Sequence, residues 1–112
     1  MDFPDLMKQE LLSFKREDRF SKEKWEERGL IPSDVDIINS MSNGLDRCID
    51  NLLTFIEPPT KTNIKLILFD GLQQMDRVDF DTEEAEFIAD EFHKLSLILD
   101  VDISEEIMAW LY

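Results

Sequence analysis

A single histidine, His93, with Asp90 three positions before it, is the first constellation in this 112-residue chain that could carry chemistry. An acid-x-x-His pair sets a carboxylate and an imidazole on one helix face. Carboxylate-bridged di-metal bundles need that pair on two helices, plus two further carboxylates. Here the spacing occurs once. Asp79-x-Asp81-x-Glu83 and Asp100-x-Asp102-x-Ser104 each have the alternation that opens a calcium loop, but Glu84 and Glu105 stand where such a loop requires glycine. Both runs read better as turn-and-cap chemistry at helix starts. Cys48 is the one cysteine, which excludes an intrachain disulfide and a CxxC pair and fits a reducing compartment. Gly29, Gly44 and Gly71 are too far apart to form a phosphate-cradling loop, and no nucleophile motif accompanies His93. The expectation is a non-enzyme, with no metal and no cofactor. An enzyme built on Asp90, Glu91, His93 and a bound metal is the reading set against it.

The elements that position these residues follow from hydrophobic spacing and punctuation. Met7, Leu11 and Phe14 recur at helical intervals, giving a first helix from about Pro4 to Arg16. Ser21 caps a short second helix through Trp25, which Gly29 ends. Ser33, with Asp36 three residues on, is the expected N-cap of a third helix over 34–57, stopped by Pro58-Pro59. Its apolar residues, from Val35 to Ile56, fall within one arc of about 160°. Gly44 sits on the edge of that arc, either for close packing or at a kink. Residues 61–75 keep helical spacing at Ile64, Leu68, Leu72 and Met75, although Ile64–Phe69 alone would also read as a strand. Helix is preferred, because the chain offers that run no strand partner. Asp81 and Glu84 form a capping box for a fifth helix, whose stripe is Ala85, Ile88, Ala89, Phe92, Leu95 and Leu99. A short last helix follows Ser104. The predicted fold is all-α, an irregular bundle of five to six helices in a single domain over 1–112.

Charge separates the two parts of the chain. Residues 1–32 hold eight acids against seven bases, whereas 33–112 hold eighteen against five, for a net charge of −14. A field of that sign repels nucleic acid and anionic lipid and steers cationic proteins inward, or it serves solubility alone. The absence of a signal sequence and of a long apolar span predicts a cytoplasmic protein, with neither nucleic acid nor membrane as partner. On the fifth helix, Phe87 and Ile98 lie about 120° from the core stripe, with Glu91 and Lys94 between them. An aromatic ringed by acids has the composition of an interaction anchor. The alternative is that both pack under the C-terminal helix. Asp79, Asp81, Glu83, Glu84, Phe87, Asp90 and Glu91 are therefore the candidate partner-binding residues.

The C-terminal third also resembles a known family. Val78-Asp79-Phe80-Asp81-Thr82-Glu83-Glu84, then an aromatic-rich helix, an Ile98-Leu99-Asp100-Val101 turn and the ending Trp110-Leu111-Tyr112, resembles DUF4844, with its D-T-E-[DE] helix start and W-L-Y-G end. This is a small bacterial family catalogued as a domain of unknown function. Trp25-x-x-Arg28-Gly29-Leu30 is compatible with it, so the likeness extends over most of the chain. The glycine after Tyr112 is not present here. The resemblance implies a bacterial, helical, non-catalytic protein and brings no catalytic residues with it.

Two functional expectations remain. One is an acidic immunity or antitoxin-like protein that neutralises a basic toxin, in the manner of small acidic immunity bundles. The other is a regulatory or scaffold subunit that receives a helix in an apolar groove or forms a homodimer. Oligomeric state is left open.

Overall fold

The computed structural model describes residues 5–54 and 60–112. Among them are six helices: α1 (Asp5–Arg16), α2 (Lys22–Glu27), α3 (Val35–Leu53), α4 (Lys61–Gln74), α5 (Thr82–Ile98) and α6 (Ser104–Leu111). A one-turn 3-10 helix, Arg77–Asp79, leads into α5, and no strand occurs among the described residues. The expected all-α bundle is what forms. The expected ends of the first and third helices, Pro4 and Phe55–Pro59, lie outside the described residues.

Capping accounts for most of the boundaries. Ser21 accepts from the Lys24 N–H, Thr60 from the Asn63 N–H, and Asp76 from the Val78 N–H. Asp81 and Glu84 exchange both bonds of a capping box. Gly29 ends α2 at φ 74°, a left-handed turn that glycine adopts without a Cβ clash, while the Leu30 N–H reaches back to the Trp25 carbonyl. One cap differs from the expectation. Asp34 occupies the N-cap position of α3 without a side-chain bond, and the Ser33 hydroxyl donates instead to the Glu84 carboxylate. Ser33 therefore ties the α2–α3 loop to the start of α5, across 51 residues of sequence.

α3 and α4 form the most extensive helix pair, and glycine makes their approach possible. A Cβ on Gly71 would stand 2.7 Å from Cys48 Sγ, and one on Gly44 would stand 2.7 Å from Met75 Sδ. Gly44 thus serves close packing within an uninterrupted helix, which settles the alternative of a kink. Residues 64–69 are helical: Ile64, Leu68 and Leu72 turn inward while Leu66 faces solvent, a pattern that alternation along a strand would not produce. Leu11, Met41, Ile49, Leu52, Leu68, Ile88, Phe92 and Leu95 belong to one buried core shared by α1, α3, α4 and α5. The indole of Trp110 closes its C-terminal edge, donating to the Met75 carbonyl at 2.9 Å.

Candidate functional site

α5 packs against α1, α4 and α6, and this position decides what its predicted site residues do. Phe87 is only 2% exposed. Its ring meets Phe20 and Trp25 edge-on, each with centroids 4.9 Å apart, and the Arg28 guanidinium lies over its face at 4.6 Å. The expectation of an exposed aromatic anchor is corrected: Phe87 is packed inside, as the alternative had it, and the rings that meet it come from the side of α2. Residues in and around the short α2 cover it. A helix enclosed on several sides buries more than one stripe, so the second stripe on the wheel is not a surface.

Two of the acids are inside as well. Glu91 is 2% exposed, and both of its oxygens are satisfied. Oε2 accepts from Arg19 Nε at 2.8 Å and lies 2.6 Å from Arg19 Nη2, while Oε1 accepts from Lys94 Nζ at 3.0 Å. Arg19 also stacks over Phe14 and contacts Glu17. Glu84 is buried by its capping box and by Ser33. Buried carboxylates so fully bonded hold elements together and present nothing to a partner. Asp90 stays on the surface but pairs with Arg28 Nη1 at 2.6 Å. The bases of the near-neutral N-terminal part thus reach across to α5, over 72 and 62 residues. Local sequence carries no signal for such pairs.

Asp79, Asp81 and Glu83 remain exposed. Asp81 is occupied as a cap, accepting from the Glu84 N–H at 2.8 Å. Asp102 likewise accepts from the Ser104 hydroxyl at 2.6 Å and its N–H at 2.9 Å, and these bonds hold its carboxyl below the ordinary range. Both calcium-like runs are therefore turn-and-cap structures. His93 is exposed, and among the described residues no three of His, Cys, Asp and Glu are grouped to hold a metal ion.

An open groove of about 240 Å³ runs between α5 and α6. Glu86, Ala89, Asp90 and His93 form one wall, and Ser104, Ile107, Met108 and Leu111 form the other. Each set has i, i+3, i+4, i+7 spacing, so two single helix faces meet along the groove. The floor is apolar and the α5 rim is acidic. A larger cavity, about 420 Å³, lies between Lys61 and Lys65 on α4 and Asp100 and Asp102 beyond α5. Its charges are of both signs, and Lys61 already faces Asp100 at 3.3 Å.

The acids near the start of α5 are in excess over the bases there. Among the described residues, Asp76, Asp79, Glu83 and Glu86 form no salt bridge. The one base among them, Arg77, donates to the carbonyls of Phe80 at 2.7 Å and Leu111 at 3.3 Å. Those two bonds also bring the end of α6 beside the start of α5.

The family model for DUF4844, described as a domain of unknown function, matches residues 2–112. The chain belongs to the DUF4844 family. The residues that carried the resemblance have defined places in this DUF4844 fold: Asp81-Thr82-Glu83-Glu84 is the capped start of α5, and Trp110 closes the core. No curated protein matches the sequence. The fold is similar to the crystal structure of a DUF3571 family protein from Acinetobacter baumannii AYE. That likeness has a TM-score of 0.85 at 22% identity, covering 96% of this chain and 89% of the other. At that identity the likeness concerns the fold alone. No helix among the described residues is long and apolar enough to cross a membrane.

Proposed function

We propose that this DUF4844 domain is a non-catalytic, cytoplasmic binding protein for a basic partner, acting as an immunity or antitoxin-like protein does when it covers a cationic toxin. The observation that carries this reading is the excess of exposed negative charge at the start of α5. Among the described residues, Asp76, Asp79, Glu83 and Glu86 are exposed without salt bridges, and Arg77, hydrogen-bonded to main-chain carbonyls, is the one base beside them. Charges already paired within a fold add little to a partner's field, whereas unpaired ones attract and orient a cationic surface. Of the predicted contact residues, Asp79, Asp81 and Glu83 keep this role, with Glu86 added from the groove. Asp90 contributes only if Arg28 releases it.

A homodimer, the other expectation, would bring two surfaces of the same sign together. The groove between α5 and α6 supports the helix-receiving form of that expectation, and it is compatible with a basic partner.

The test is affinity capture from cells that make the protein, using wild type and a Glu83→Lys/Glu86→Lys variant. A cationic protein should be retained at about 50 mM salt and released at about 500 mM, because exposed charges are screened over that range. The charge-reversed variant should retain much less of it. Retention indifferent to salt and to charge reversal, or recovery of no cationic protein, would refute the reading.

A further inference from the structure

The groove between α5 and α6 is narrower in what it can accept than the acidic surface around it. We propose that it seats an amphipathic, cationic helix of the partner, with apolar side chains on its floor and lysines or arginines along its acidic rim. This rests on the basic-partner reading above and adds the place and the chemistry of the contact.

Shape is the first argument. The floor is Ala89 from α5 with Ile107, Met108 and Leu111 from α6. Ala89 lacks the side chain that would fill the trough, and Met108 is 55% exposed although it lies on that apolar face. At about 240 Å³, the groove falls short of the usual volume for small-molecule sites, roughly 300–1,000 Å³. An open trough between two helix faces fits a row of side chains at helical spacing.

Charge complementarity selects the occupant. Among the described residues, Glu86 on the α5 rim forms no salt bridge, and Glu83 stands one turn before it. The titratable and charged groups facing the groove are Glu86, Asp90 and His93, with Arg28 reaching Asp90 from the side of α2. A second copy of this chain carries the same net charge of −14 and meets repulsion there. An acidic helix meets the same repulsion. Methionine at the floor suits a partner whose side chains vary in shape, since the thioether adapts to irregular surfaces.

Two helical model peptides of equal length test this directly, one with leucine at i, i+3, i+4 and i+7 and lysine elsewhere, the other with glutamate replacing lysine. Titrated into the ¹⁵N-labelled domain, the leucine–lysine peptide should shift the amides around Ala89, His93, Met108 and Leu111, and the glutamate peptide should shift none. Met108→Glu should weaken binding by about tenfold or more, since it places a charge on the apolar floor. Leu97→Glu, exposed outside the groove, should leave binding within about twofold of wild type. Met108→Ala covers the case in which Met108→Glu disturbs the fold, and should also weaken binding. A surface acting by charge alone would bind the cationic peptide as well or better once Met108→Glu adds an acid. That result would overturn the groove and leave the basic-partner reading standing. Shifts centred away from α5 and α6, or no binding of the leucine–lysine peptide, would likewise overturn it. Failure of the basic-partner reading shows separately, as loss of salt-dependent capture by wild type.

Discussion

Phe87→Ala separates a buried support from a surface anchor more sharply than any other single change. In the fold the ring is 2% exposed, wedged between Phe20 and Trp25 and roofed by Arg28. Truncating a buried phenylalanine costs about 3–5 kcal/mol. Edge-on aromatic pairs contribute about 0.5–1.5 kcal/mol beyond area, which places this site toward the upper end of that range. With a urea slope of about 1.5–2 kcal/mol/M, the unfolding midpoint should fall by about 2–3 M. Such a loss is a large fraction of the roughly 5–15 kcal/mol that stabilises a typical domain. Phe87→Leu, expected to cost about 1–2 kcal/mol, therefore keeps the comparison measurable if the alanine variant does not fold. Equilibrium urea unfolding followed by circular dichroism is the assay. An exposed Phe87 would change stability by no more than about 0.5 kcal/mol. A midpoint within about 0.3 M of wild type would refute the packing of α2 onto α5 described above.

Three further expectations concern backbone, packing and thiol chemistry. Gly71→Ala should destabilise by about 1–3 kcal/mol, because its Cβ meets Cys48 Sγ at 2.7 Å and the Phe92 ring at 3.4 Å. Gly44→Ala should cost less, since only the flexible Met75 side chain must move and alanine adds helix propensity; equal or reversed losses in urea unfolding would contradict this. Asp100→Gly should raise stability by about 0.5–1 kcal/mol, because Asp100 ends α5 at φ 55° and glycine adopts that conformation without strain. Its exposed pair with Lys61 contributes little, so a lower melting temperature in the variant would count against the assignment. Cys48 should resist alkylation near pH 8 in the native protein and react on unfolding, because burial pushes its thiol up to about 12. Only the unfolded thiol ionises just above its ordinary value of 9.0. The Cys48 contribution to stability is therefore full below that pH and falls as pH rises toward about 12. Rapid native-state labelling would show that the α3–α4 contact opens.

How much of this was legible beforehand differs between elements. Helical spacing and capping residues act over one or two turns, so α1, α2, α4 and α5 were readable from neighbouring residues, down to the Asp81–Glu84 capping box. Ser33 misled because a serine oxygen next to a helix start is a plausible cap, and only the fold brings Glu84 within its reach. The candidate site misled for a related reason. A helical wheel ranks positions around one axis but does not count the neighbours on each side, and α5 has several. Phe87 and Glu91 were grouped correctly on a second face, but that face is covered.

The sequence by itself determined the helices, most of their caps, the membership of the family and the sign of the field, because these depend on local periodicity, short motifs and summed charge. Tertiary structure alone decided which acids remain unpaired. Arg19 and Arg28 neutralise Glu91 and Asp90 from far along the chain, whereas Arg77, adjacent to its acids, turns instead to two carbonyls. Pairing depends on distance in space, and sequence separation does not measure it.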